Sequence, residues 1–173
     1  MNYEHLARMW GEQRDKFQEW EFNLLRSPHL VRNRLEEILD LPQSTWTESE
    51  NGSVHKYVEL VDFYQKETVE RRPPRGDSIA EDGVLVFGVG ITFDRGFNSF
   101  PKQNIYTPVA MRLVASGPEV CLFDRDSDRP SNEWTQSIDD FCNLLLTRYE
   151  ESFKHDPYTD FNGQRRMGFF QEF

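Results

Sequence analysis

The ten residues Val84–Phe93, VLVFGVGITF, constrain this chain more than any other stretch. Leu85, Phe87, Val89, Ile91 and Phe93 share one parity, and Val86, Gly88, Gly90 and Thr92 share the other. In an extended backbone the first set makes a large apolar face and the second a shallow one. The pattern predicts a central strand. Two glycines on the shallow face admit close approach by a ring, a helix or a ligand.

Other strand material flanks it. Val54–Tyr64 alternates with a parity change near Leu60, which predicts one strand with a bulge. Thr107–Ala115 and Glu119–Phe123 predict two strands joined by a turn at Ser116-Gly117-Pro118. Four strands over residues 54–123 with short or irregular links favour a mostly antiparallel sheet. Residues 66–83 carry Pro73-Pro74, two glycines and few apolar groups, and read as a long, mobile surface loop.

Helical spacing governs both ends. Leu6, Met9, Trp10, Phe17, Trp20, Leu24 and Leu25 recur at three, four and seven residues, an apolar stripe on a charged surface. Ser27-Pro28 supplies a cap and a first-turn proline for a second helix carrying Leu30, Val31, Leu35, Ile38 and Leu39. Residues 1–41 therefore predict a helical hairpin. Trp134, Ile138, Phe141, Leu145 and Tyr149 mark a long helix over residues 131–154, packed on one face of the sheet. The expected fold class is α+β in one domain of 173 residues, a length that buries a core without staples. Fourteen phenylalanines supply much of that core, each aromatic burying roughly 150–250 Å².

A formal charge of -10 lacks the cationic footprint of a nucleic-acid binder and fits a basic protein partner by steering and complementarity. No apolar run is long enough to span a membrane and no secretory leader is visible, so no membrane partner is expected and the cytoplasm is the expected setting. Cys121 and Cys142 sit in apolar patterns and read as buried, reduced thiols. Gly88-Val89-Gly90 lacks the third glycine and the following helix of a dinucleotide fingerprint. No cofactor is expected.

Catalytic candidates are few. His55 and Glu59 lie four apart on a strand and share a face, an arrangement suited to acid–base work in a pocket. Asp124, Asp126 and Asp128 alternate as calcium loops do, but Arg129-Pro130 stands where a glycine is required, so no metal site is expected. Aromatic residues nominate binding surfaces instead. Phe97 and Phe100 occupy a loop tip, and Met167, Phe169, Phe170 and Phe173 fill the tail of residues 155–173. Gln164, Met167 and the paired Phe169-Phe170 resemble the peptide with which many proteins grip sliding clamps. The aromatics arrive one residue early and Gln171 takes the last slot, so that function is not carried over.

Taken together, these features lead to an acidic intracellular protein-interaction module: an accessory subunit, inhibitor or immunity-like factor. A hydrolase assembled from His55, Glu59, Asp124 and Asp126 is one alternative. A small-ligand site over Gly88 and Gly90 is the other.

Overall fold

The computed structural model describes residues 2–64, 68–95, 100–154 and 170–172. Helix α1 spans Tyr3–Arg26, and Asn2 caps it by accepting the His5 N–H at 3.0 Å. Helix α2 spans Pro28–Leu39 and ends at Asp40, whose φ of 44° is left-handed. The expected hairpin between them does not form. Ser27 keeps helical angles, φ -61° and ψ -33°, so α1 and α2 are one bent helix. Pro28 lacks the N–H that would meet the Leu24 carbonyl, and Ser27 N–H reaches that carbonyl instead at 3.2 Å. The Ser27 hydroxyl donates to the Asn23 carbonyl at 2.8 Å, a back-bond that also bends helices. Serine and proline here make a kink rather than a stop.

Strands β1 (Thr45–Thr47) and β2 (Val54–Lys56) pair antiparallel as a small separate sheet. The predicted strand Val54–Tyr64 therefore divides at Tyr57 instead of bulging at Leu60: Tyr57 N–H bonds the Ser44 carbonyl, while its own carbonyl accepts from Thr92. The main sheet contains β3 (Val58–Tyr64), β4 (Thr68–Glu70), β5 (Leu85–Phe93), β6 (Gln103–Val114), β7 (Gly117–Asp124), β8 (Arg129–Pro130) and β9 (Phe170–Glu172). Their order is β4-β3-β5-β6-β7-β8, with β9 also on β6, and every pairing is antiparallel. The four expected strands are the long ones, β3, β5, β6 and β7, but short edge strands enlarge the sheet. β7 pairs with β6 over Val109–Val114, and β9 takes its Asn104–Tyr106 segment.

The prediction for β5 holds in detail. Leu85, Phe87, Val89 and Ile91 are buried with Val58, Val109, Met111 and Val120 beneath Leu24, Val31, Leu35, Phe141, Cys142, Leu145 and Tyr149. Each fully buried aliphatic or phenylalanine here contributes roughly 1.5–3 kcal/mol of transfer free energy. The helices thus cover one face of the sheet. Helix α3 spans Ile138–Phe153, with Ser137 as N-cap accepting the Asp140 N–H at 3.2 Å, so it begins later than residue 131. The preceding residues stay extended because Thr135 exchanges backbone hydrogen bonds with Val120.

Residues 68–83 hold more structure than one irregular loop. Besides β4, they form a 3-10 turn at Gly76–Ser78, and Ser78 donates to the buried Asp62 at 2.7 Å. Among the described residues, no helix is long and apolar enough to cross a membrane.

Candidate functional site

Two surfaces stand out. The first is α1. Tyr3, Leu6, Trp10, Gln13, Phe17, Trp20 and Leu24 follow a three-four alternation, which puts them along one side of the helix. The stripe enters the core only at its far end. Leu24 is fully buried and Trp20 half-buried, whereas Phe17, Trp10, Leu6 and Tyr3 are 58%, 65%, 50% and 83% exposed. Met9 flanks the stripe, also half-exposed. Together these side chains leave on the order of 600 Å² of surface in water, at the upper end for the largest patch on a monomer. The stripe read from the helical spacing is, from Phe17 to Tyr3, an apolar face open to water. Its charges nearly balance: Glu4, Glu12, Asp15, Glu19 and Glu21 against Arg8, Arg14, Lys16 and Arg26.

The second is a cleft of about 370 Å³ between α2 and strands β2 and β3, lined by His29, Arg32, His55, Lys56, Glu59 and Arg71 among others. A hydrogen-bonded chain runs along its wall. Glu48 meets His55 Nε2 at 3.3 Å, Arg71 Nη1 meets His55 Nδ1 at 3.2 Å, Arg71 Nε donates to the Tyr106 hydroxyl at 3.1 Å, and that hydroxyl donates to Glu59 at 3.1 Å. A guanidinium only donates, so Nδ1 of His55 accepts and the proton lies on Nε2 facing Glu48. That hydrogen bond from His55 holds the Glu48 carboxyl below its ordinary range. The Trp46 ring lies against the His55 ring, tilted by 33° with centroids 4.6 Å apart, and confines the imidazole.

Gly90 makes this chain possible. Its shallow face is filled by the Tyr106 ring and the Glu59 stem, while Val61 and Phe63 fill the space over Gly88. Both glycines are therefore covered by cross-strand side chains, and the room they leave is already occupied.

The predicted site residues scatter. His55 and Glu59 share the cleft. Asp124 ends β7 and Asp126 follows it, and β5 and β6 separate that strand from β3, about 14 Å at ordinary strand spacing. Asp124 accepts the Ser127 hydroxyl at 2.6 Å and the Asp126 N–H at 3.0 Å, and the Ser127 bond foremost lowers its carboxyl below the usual range. That is a self-satisfied turn, and the four residues do not converge. Among the described residues no cluster of His, Cys, Asp and Glu is placed to hold a metal.

Phe100 is half-exposed, with its ring 5.2 Å from the Lys102 ammonium. That ammonium also faces Trp46 and Tyr57 and pairs with Asp94 at 2.6 Å. Phe97, Met167, Phe169 and Phe173 lie outside the described residues. Phe170 opens β9, whose backbone pairs with β6 of its own chain. Sequence reasoning missed Arg32, Lys56 and Tyr106, whose convergence depends on α2, β2 and β6 meeting. The sequence traces of the cleft were Gly90 and the shared face of His55 and Glu59.

No family model matches the chain, and no curated protein or solved structure matches it either.

Proposed function

We propose that this chain is a protein-interaction module that docks an amphipathic helix of a basic partner protein along the free face of α1. The observation that carries the reading is the single stripe that is buried at Leu24 and open to water from Phe17 to Tyr3. Aromatic anchors of this kind dominate binding energy when a partner excludes water from them. Their roughly 600 Å² approaches the ~800 Å² that one side of a standard interface buries. Three-four spacing selects a helix as the partner, because another helix supplies the matching holes.

Charge favours a basic partner through the field of the whole chain rather than through α1, whose own charges nearly balance. At -10 a second copy is repelled at a distance and a basic partner is steered in. Two buried free thiols fit an intracellular setting.

The test uses a Lys-rich amphipathic peptide with leucine at its seam positions and a Glu-rich counterpart, titrated while tryptophan emission is followed. Saturable binding and a blue shift are expected for the basic peptide. Trp10→Glu and Phe17→Glu, both at exposed positions, should weaken it at least tenfold with unchanged thermal midpoints. Equal affinity for both peptides would sink the charge argument. A concentration-dependent dimer in light scattering, abolished by Trp10→Glu, would assign the face to a second copy instead. A Trp10 emission already blue-shifted in the isolated protein would show that the chain covers its own face.

A further inference from the structure

We infer that the cleft between α2, β2 and β3 binds a small phosphate-bearing dianion. The inference is independent of the α1 surface. Arg32, Lys56 and Arg71 bring three positive charges to the cleft against Glu59 in its lining and Glu48 behind His55, a local positive balance in a chain whose total is -10. Three cations facing one opening suit an anion that presents several oxygens, a phosphate monoester rather than a carboxylate. Three separate elements supply the cations: Arg32 from α2, Lys56 from β2 and Arg71 from the segment after β4.

The site is also preorganised. The Tyr106 hydroxyl, on a residue with no exposure to solvent, and the His55 ring hold the Arg71 guanidinium from two directions. A planar guanidinium held this way loses little freedom when an anion meets it. At about 370 Å³ the cleft is at the small end of ligand pockets, which suits a phosphorylated metabolite of modest size. Leu60, Val54 and Pro73 give it an apolar wall for the rest of such a molecule.

His29 reports the field from inside. Burial holds its imidazole below the ordinary value, and the charges of Arg32, Lys56 and Arg26 lower it further. His55 and Lys56 on β2, Glu48 against His55, Glu59 on β3 and Arg71 complete the ionisable groups around the same cleft. A bound dianion offsets that field, so His29 should take up a proton more readily in the complex.

The experiment titrates inorganic phosphate, and separately a phosphomonoester, into the full chain while the imidazole NMR resonances are followed, with acetate as a monoanion control. Saturable shifts of His29 and His55 are expected, with His5, far along α1, unmoved. Lys56→Gln and Arg32→Gln should each weaken phosphate binding about tenfold, the loss of one charge-assisted contact, without changing the thermal midpoint. Lack of saturation at millimolar phosphate overturns the inference. So does affinity unchanged in both variants, or acetate binding as tightly as phosphate. Tighter binding of the phosphomonoester than of phosphate alone supports it and assigns the apolar wall to the ester group.

Discussion

Tyr106 packs directly onto Gly90, its cross-strand partner: a Cβ at position 90 would stand 2.7 Å from the ring's Cε1 and 2.9 Å from the Glu59 Cγ. Neither neighbour is a flexible tip. The ring is fully buried, and its hydroxyl is tied to Arg71 and Glu59.

Gly90→Ala should therefore destabilise the protein by about 1–3 kcal/mol, the cost of overpacking, although alanine is the better strand residue. Urea denaturation measures the loss. Because the ring must move, phosphate affinity should fall as well. A variant as stable as the parent would show that the Tyr106 ring is not confined.

Asp62 is 1% exposed in the middle of β3. It accepts from Ser78, and its second oxygen lies 2.8 Å from Arg72 Nη2, an ion pair whose alignment falls short of a hydrogen bond. These contacts pin the 3-10 turn. Asp62→Ala should cost about 2–3 kcal/mol, below the usual range for a broken buried pair because Arg72 keeps some access to water. Trypsin should then cut faster after Arg75. An unchanged cleavage rate would mean that other contacts hold this segment.

Lys102 contributes at the alkaline end. Burial works to lower its ammonium, yet hydrogen bonds to Asp94 and Tyr57 outweigh it and leave the group raised above the ordinary lysine value. A raised folded-state value contributes stability that is complete below the unfolded value and lost as pH climbs through the folded one. Urea midpoints should be flat near neutrality and fall in the strongly alkaline range. Lys102→Met should lower stability by about 2–4 kcal/mol at neutral pH by stranding Asp94, and should flatten that alkaline decline. A decline of the same size in the variant would assign it to other groups.

Both cysteines should be silent while the protein is folded. Burial first, then Asp139, pushes the Cys142 thiol up to about 11, and burial likewise raises Cys121. Thiolate is the reactive form, so labelling near neutral pH should follow unfolding. Two thiols should titrate in denaturant and none rapidly in buffer. Fast labelling of one in buffer would reveal local opening.

Periodicity made much of this legible. The dyad pattern of Val84–Phe93 placed β5 inside the sheet, and the helical spacing around Phe141, Leu145 and Tyr149 placed α3 on one face. Such local patterns work because an element's burial face is written in its own residues. Where two elements compete for one segment, local reading fails. Ser27-Pro28 signals a boundary, and only the continuing helix shows that the boundary is a kink. Ser131–Gln136 is helix-compatible, but Val120 holds Thr135 extended.

The α1 stripe separates the two kinds of knowledge. Sequence alone determined that Leu6, Trp10, Phe17, Trp20 and Leu24 share a face, because 3.6 residues per turn is a property of the backbone. It could not determine what that face meets. Tertiary structure decided that Leu24 enters the core while Phe17, Trp10 and Leu6 stay in water, because the sheet reaches only so far along the helix. The same holds for the cleft: Gly90 announced an approach, and only the folded chain brings Tyr106, Glu59, Arg71 and His55 into hydrogen-bonding distance, since contacts between strands depend on register rather than on sequence neighbours.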